Sequence, residues 1–166
     1  MRGLVHRLVF VSADAEGFFR GPVPRCVGRR PVRSLAHLFG LLQRTARPAG
    51  GATTLDLIGH STYAARLLRL GTDVIDMFDP WVSAGFRDFA ESGRLRQSGV
   101  SAVRLLGCET AVTPTARRSM GMLAHVLGMP VVGTRRPLLQ SHYDRDGFDP
   151  VFQDILVEVG PPGRVR

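Results

Sequence analysis

Ser101-Ala102-Val103-Arg104-Leu105-Leu106-Gly107-Cys108-Glu109-Thr110-Ala111 is the stretch around which the chain is organised. A mostly apolar run enters Gly107-Cys108. Shortly beyond it Thr113-Pro114 opens a helix, with a capping hydroxyl before proline at the first helical position. A second stretch upstream, Thr54-Leu55-Asp56-Leu57-Ile58-Gly59-His60-Ser61, repeats the pattern of apolar strand, glycine and chemically capable side chain. In a parallel sheet both side chains would arrive at the carboxyl ends of strands, where open α/β folds place their sites. Cysteine and histidine delivered to one edge are the parts of a thiol nucleophile and its acid/base partner.

The rest of the chain supplies elements for such a sheet. Residues 7–13 are β-branched and aromatic-rich and read as the first buried strand. Residues 14–31, rich in glycine and proline, read as a long loop, either a functional wall or a small excursion, and Cys26 within it reads as incidental. Leu35, Leu38, Phe39, Leu42 and Ala46 fall at helical spacing, so a helix is expected over 32–47, stopped by the Pro48-to-Gly51 run. Residues 52–58 form the next strand, and strand–helix–strand order calls for a right-handed parallel crossover. Between 65 and 77 a hairpin turning at Gly71-Thr72 is favoured over a short helix. Residues 81–91 read as a helix burying Val82, Phe86, Phe89 and Ala90, with Trp81 as core. Ala116, Met120, Leu123, Ala124 and Leu127 stripe the helix that Gly128 closes, with His125 at its surface. Residues 129–134 are a short strand, 135–150 a polar loop, and 151–159 a last strand or short helix.

Composition limits the function classes. At 166 residues the chain holds one domain, expected over 1–160 with a flexible tail at 161–166. Hydrophobic content of 44% and charged content of 22% are ordinary for a water-soluble domain. No run approaches the roughly 20 apolar residues of a membrane span. The N-terminus lacks a signal-peptide core, so a cytoplasmic location without membrane attachment is expected. Two cysteines make no disulfide framework, and no Cys/His spacing suggests a metal site; no cofactor is expected. The net charge is +8, but the basic residues, all arginine, are scattered without interleaved aromatics, which argues against nucleic acid as the partner.

With the strand-end motifs in view, the chain resembles a known family. Leu57-Ile58-Gly59-His60-Ser61 resembles the strand–Gly–His element of caspase-like cysteine peptidases. Leu105-Leu106-Gly107-Cys108-Glu109-Thr110-Ala111 resembles their strand–Cys element, and is most similar to the bacterial CHAT branch (caspase-like, associated with tetratricopeptide repeats). The separation of 48 residues (108 − 60) is close to the roughly 50-residue upstream position of the caspase histidine. In order of elements the resemblance runs from Leu4 to Phe148. It implies an α/β fold, a three-layer caspase-like domain with a mostly parallel central sheet flanked by helices. It implies a cysteine endopeptidase with His60 and Cys108 as catalytic residues, acting on a protein or peptide substrate, with an activating partner protein as a further possibility.

Ser61 stands where the family usually has glycine. Its N–H and that of Cys108 are expected to hold the oxyanion, with Glu109, Thr134 and Arg135 in the substrate-binding set. The resemblance also places a specificity pocket near the 14–30 loop and residues 133–136. Arg20, Arg25, Arg29 or Arg135 would there select an acidic side chain; Asp56, Glu109 or Asp144 would select a basic one. Two other classes compete. One is an inactive scaffold or regulatory domain on the same fold. The other is a serine α/β-hydrolase, since Gly59-His60-Ser61-Thr62-Tyr63 half-matches the nucleophile elbow, with Ser61 as nucleophile and His142 as base.

Overall fold

The computed structural model describes residues 6–19, 30–45, 53–144 and 147–161. Cys26, Arg20, Arg25, Arg29, the Pro48-to-Gly51 stop and the tail beyond 161 lie outside the described residues. The longest strands form the middle of the sheet. Strand β1 is His6–Ser12, β3 is Thr53–Ile58, and β7 is Val100–Leu106. Outside them lie β2 (Arg30–Val32), β8 (Val131–Thr134) and β11 (Leu156–Val159). The six strands run in the order β11-β8-β7-β3-β1-β2. All neighbours are parallel except β11, which pairs antiparallel with β8. The mostly parallel α/β sheet expected from the sequence is therefore present.

The helices cover one face. They are α1 (Leu35–Gln43), α2 (Pro80–Glu91), the short α3 (Arg94–Gln97) and α4 (Pro114–Leu127). Alternation along the strands sends Phe10, Leu55, Leu57, Val103 and Leu105 into this layer. They meet Leu35, Leu38, Phe86, Phe89, Met120 and Leu123 from the helices. Helix α1 starts later than its periodicity suggests, because Ser34 caps it by accepting from the His37 N–H at 3.1 Å and Val32 belongs to β2. Trp81 is the clearest departure: it is 88% exposed rather than core. It follows Pro80 in the first turn of α2, off the Val82–Phe86–Phe89 stripe that reaches the sheet.

The opposite face carries Val9, Val11, Ile58 and Leu106, packed with Ala15, Leu138, Tyr143, Phe148 and Ile155. Among the described residues its cover is made of 3-10 turns (Ala13–Phe19, Gln140–His142, Pro150–Ile155) and the hairpin β9 (Tyr143–Asp144) with β10 (Gly147–Phe148). The arrangement is compatible with three layers. The expected polar loop at 135–150 instead buries two aromatic rings, because Tyr143 and Phe148 pair edge to face at 5.8 Å between centroids. Asp56 and Arg104 sit on this face as cross-strand neighbours and form a bidentate ion pair. Asp56 has no exposed surface, and the Arg104 guanidinium lies 5.7 Å from the Phe148 ring centre. No helix of the described residues is long and apolar enough to cross a membrane.

Breaking a buried pair leaves an uncompensated charge, which costs far more than replacing both partners. Arg104→Met should lower unfolding free energy by about 3–5 kcal/mol in urea denaturation, and the Asp56→Leu/Arg104→Met double variant should recover most of it. Equal stability of Arg104→Met and the unsubstituted chain would contradict this role.

Candidate active site

The site is built by the β3–β7 pairing. Thr54 lies opposite Ala102 and Ile58 opposite Leu106, a constant offset of 48 (106 − 58). The Gly59 N–H extends the contact by donating to the Leu106 carbonyl at 3.1 Å. His60 and Cys108 have the same offset and stand just beyond the paired ends, on the face of Ile58 and Leu106. They line one small cavity with Ala15, Ile58, Gly59, Leu106, Leu138 and Tyr143. His60 is exposed; Cys108 is half-buried and carries a free thiol.

His60 is delivered by a hairpin that its own sequence does not announce. Strand β4 is only His60–Ser61; it pairs with β5 (Leu68–Leu70), which pairs with β6 (Asp73–Val74). The expected turn at Gly71-Thr72 joins β5 to β6. Glycine is required at 59 because a Cβ there would lie 2.2 Å from the Arg69 carbonyl oxygen. The Thr62 N–H donates to the Leu67 carbonyl at 2.8 Å, and the Leu68 carbonyl turns to β6, accepting from Ile75 N–H at 2.8 Å. In an antiparallel ladder such pairs alternate, so Ser61, opposite Leu68, turns its amide away from β5.

Cys108 rides on a loop braced from several sides. Thr134 Oγ donates to the Gly107 carbonyl and accepts from Thr110 N–H at 3.2 Å. The Thr134 carbonyl accepts from Ala111 N–H at 2.8 Å, and its N–H donates to Thr110 Oγ at 3.0 Å. Thr134 has no exposed surface, so it braces the loop from beneath rather than lining the cleft. Glu109 adopts a left-handed conformation (φ 61°), as does Arg66 (φ 59°), and the two side chains form an ion pair at 3.4 Å. Glu109 N–H donates to the Arg136 carbonyl at 3.2 Å. Arg135 is exposed, its side chain 4.0 Å from Asp154.

Other expected site residues fall elsewhere. Asp56 is sealed in its pair with Arg104 and cannot select a basic substrate. Ser61 and His142 are not brought together. The Ser61 hydroxyl donates to the Cys108 carbonyl at 2.5 Å, whereas His142 Nδ1 accepts from Leu139 N–H at 3.2 Å and its ring packs on Phe152. His142 lines a separate cavity with Arg136, Leu139 and Asp154. Thr110, Ala15, Leu138 and Tyr143 were not singled out by the sequence, because their place depends on tertiary packing rather than local pattern. Among the described residues no three His, Cys, Asp or Glu side chains form a metal-holding group. No protein-family model matches the chain, and no curated protein matches it significantly.

A side chain at 59 would force β4 off β5. Gly59→Ala should therefore destabilise the fold by about 3 kcal/mol, read as a lower denaturation midpoint. An unchanged midpoint would mean that β4 is not held in this way.

Proposed function

We propose that the chain is a caspase-like cysteine endopeptidase with Cys108 as nucleophile and His60 as its acid/base partner. The observation that carries this reading is that an exposed imidazole and a partly exposed free thiol line one cavity at the carboxyl ends of adjacent parallel strands. His60 takes the proton of the Cys108 thiol, and the resulting thiolate sulfur attacks the carbonyl carbon of a peptide bond, forming a C–S bond while the carbonyl π electrons move to oxygen. The amide of Ser61, turned away from β5, and that of Cys108 hold this oxyanion. The tetrahedral centre collapses with cleavage of the C–N bond, and His60 gives the leaving amine its proton. Water, deprotonated by His60, then hydrolyses the thioester and restores the thiol. This chemistry calls for no metal or organic cofactor. The family resemblance implies a dedicated protein substrate.

A second reading is an inactive interaction domain on the same fold. The cavity is only about 50 Å³, room for a short side chain. Covalent labelling separates the two. A panel of peptide acyloxymethyl ketones bearing Arg, Lys, Asp, Asn or Leu at the cleavage position is read by intact mass. One adduct per chain is expected for the unsubstituted protein, none for Cys108→Ala, and labelling at least about 100-fold slower for His60→Ala. A folded protein alkylated at Cys108 by iodoacetamide but by no ketone would favour the inactive domain.

A further inference from the structure

We infer that Ser61 is a positioning residue for Cys108, its hydroxyl tying the peptide that carries the thiol to the strand that carries His60. For its kinetic consequence the inference rests on the peptidase reading; its structural consequence stands alone. The Cys108–Glu109 peptide group is held at both poles. Its carbonyl accepts from Ser61 Oγ at 2.5 Å, and its N–H donates to the Arg136 carbonyl at 3.2 Å. Rotation of that peptide is therefore blocked from two separate segments of the chain. The preceding carbonyl, of Gly107, is held by Thr134 Oγ. With the backbone fixed on either side of Cys108, its χ1 is the main soft angle left to the thiol.

The arrangement also explains how a strained residue persists beside the nucleophile. Glu109 has φ 61°, a conformation disfavoured for any residue but glycine, and it needs surrounding bonds to hold it. The bond from Ser61 is the one that comes from the His60 strand. Space is matched as well: a Cβ on Gly107 would lie 3.0 Å from Ser61 Oγ, so the hydroxyl fills the volume against the loop. A glycine at 61 keeps the backbone amide and removes the hydroxyl together with its Cβ, whereas alanine removes the hydroxyl alone. Ser61→Gly thus separates an oxyanion role of the amide from a positioning role of the side chain.

The experiment compares Ser61→Gly and Ser61→Thr with the unsubstituted protein, using whichever ketone labels it fastest. Ser61→Gly should lower the maximal inactivation rate about 10- to 100-fold with the inhibitor's dissociation constant nearly unchanged, and Ser61→Thr should restore it to within a few-fold. Amide hydrogen exchange across residues 107–111 gives a readout independent of turnover. It should speed up at least about tenfold in Ser61→Gly and stay at the original rate in Ser61→Thr. Should Ser61→Gly melt as a whole, Ser61→Ala takes its place. An inactivation rate at or above the original in Ser61→Gly, or unchanged exchange in the loop, overturns the inference. If no ketone labels the unsubstituted protein, the peptidase reading falls while exchange still decides whether Ser61 holds the loop.

Discussion

The parallel pairing of β3 with β7 is the constraint on which the rest depends. Its register fixes which residues emerge side by side at the carboxyl edge, and only the observed offset brings out His60 beside Cys108. The same register sorts the two faces. A slip of one residue would send Leu55 and Leu57 away from the helices and bring Asp56 against them. Hydrophobic burial alone therefore opposes a shift. The Asp56–Arg104 pair opposes it again, since the two side chains are cross-strand neighbours in this register and neither has another partner of opposite charge beside it in the strand pair.

The two faces of the sheet do different work. The helical face carries most of the large buried side chains and supplies the bulk of the core. Among the described residues the other face is thinner, and its cover of 3-10 turns and a short hairpin leaves the carboxyl ends of β3 and β7 close to solvent. A site needs that access. It also needs rigidity, which comes here from hydrogen bonds rather than from bulk: Thr134 and Thr110 beneath the cysteine loop, Ser61 beside it, and the Arg66–Glu109 pair at its rim. Such a loop keeps its geometry only while these polar groups remain paired.

Much of this was legible in the sequence, for physical reasons. Strands β1, β3 and β7 each carry a cluster of large apolar residues, as expected of buried parallel strands. Helix α4 carries its own start and stop, Thr113-Pro114 and Gly128, and its apolar stripe is buried as spaced. What escaped depends on partners distant in the chain. Strand β2 is a short edge strand containing Pro31, a residue that argues against a strand when read locally. Strand β4 is two residues long and exists because β5 folds back on it. Trp81 looks like core by composition and is exposed because of where the helix begins. For the site, the strand-end histidine and cysteine were visible as a pattern. The brace from Thr134 and the hydroxyl bond from Ser61 were not, since neither leaves a local signature.

Proximity of positions 60 and 108 is the claim beneath all of this, and it can be measured without any assumption about activity. In a Cys26→Ser background, His60→Cys places a second thiol opposite Cys108. A short bifunctional thiol reagent should bridge the two within one chain, seen by intact mass and peptide mapping as a single 60–108 crosslink. A control with the added thiol at Thr53, at the opposite end of β3, should give none. Two separately capped thiols in the His60→Cys protein, with the fold intact, would contradict the account, because the β3–β7 register would then not bring His60 to Cys108.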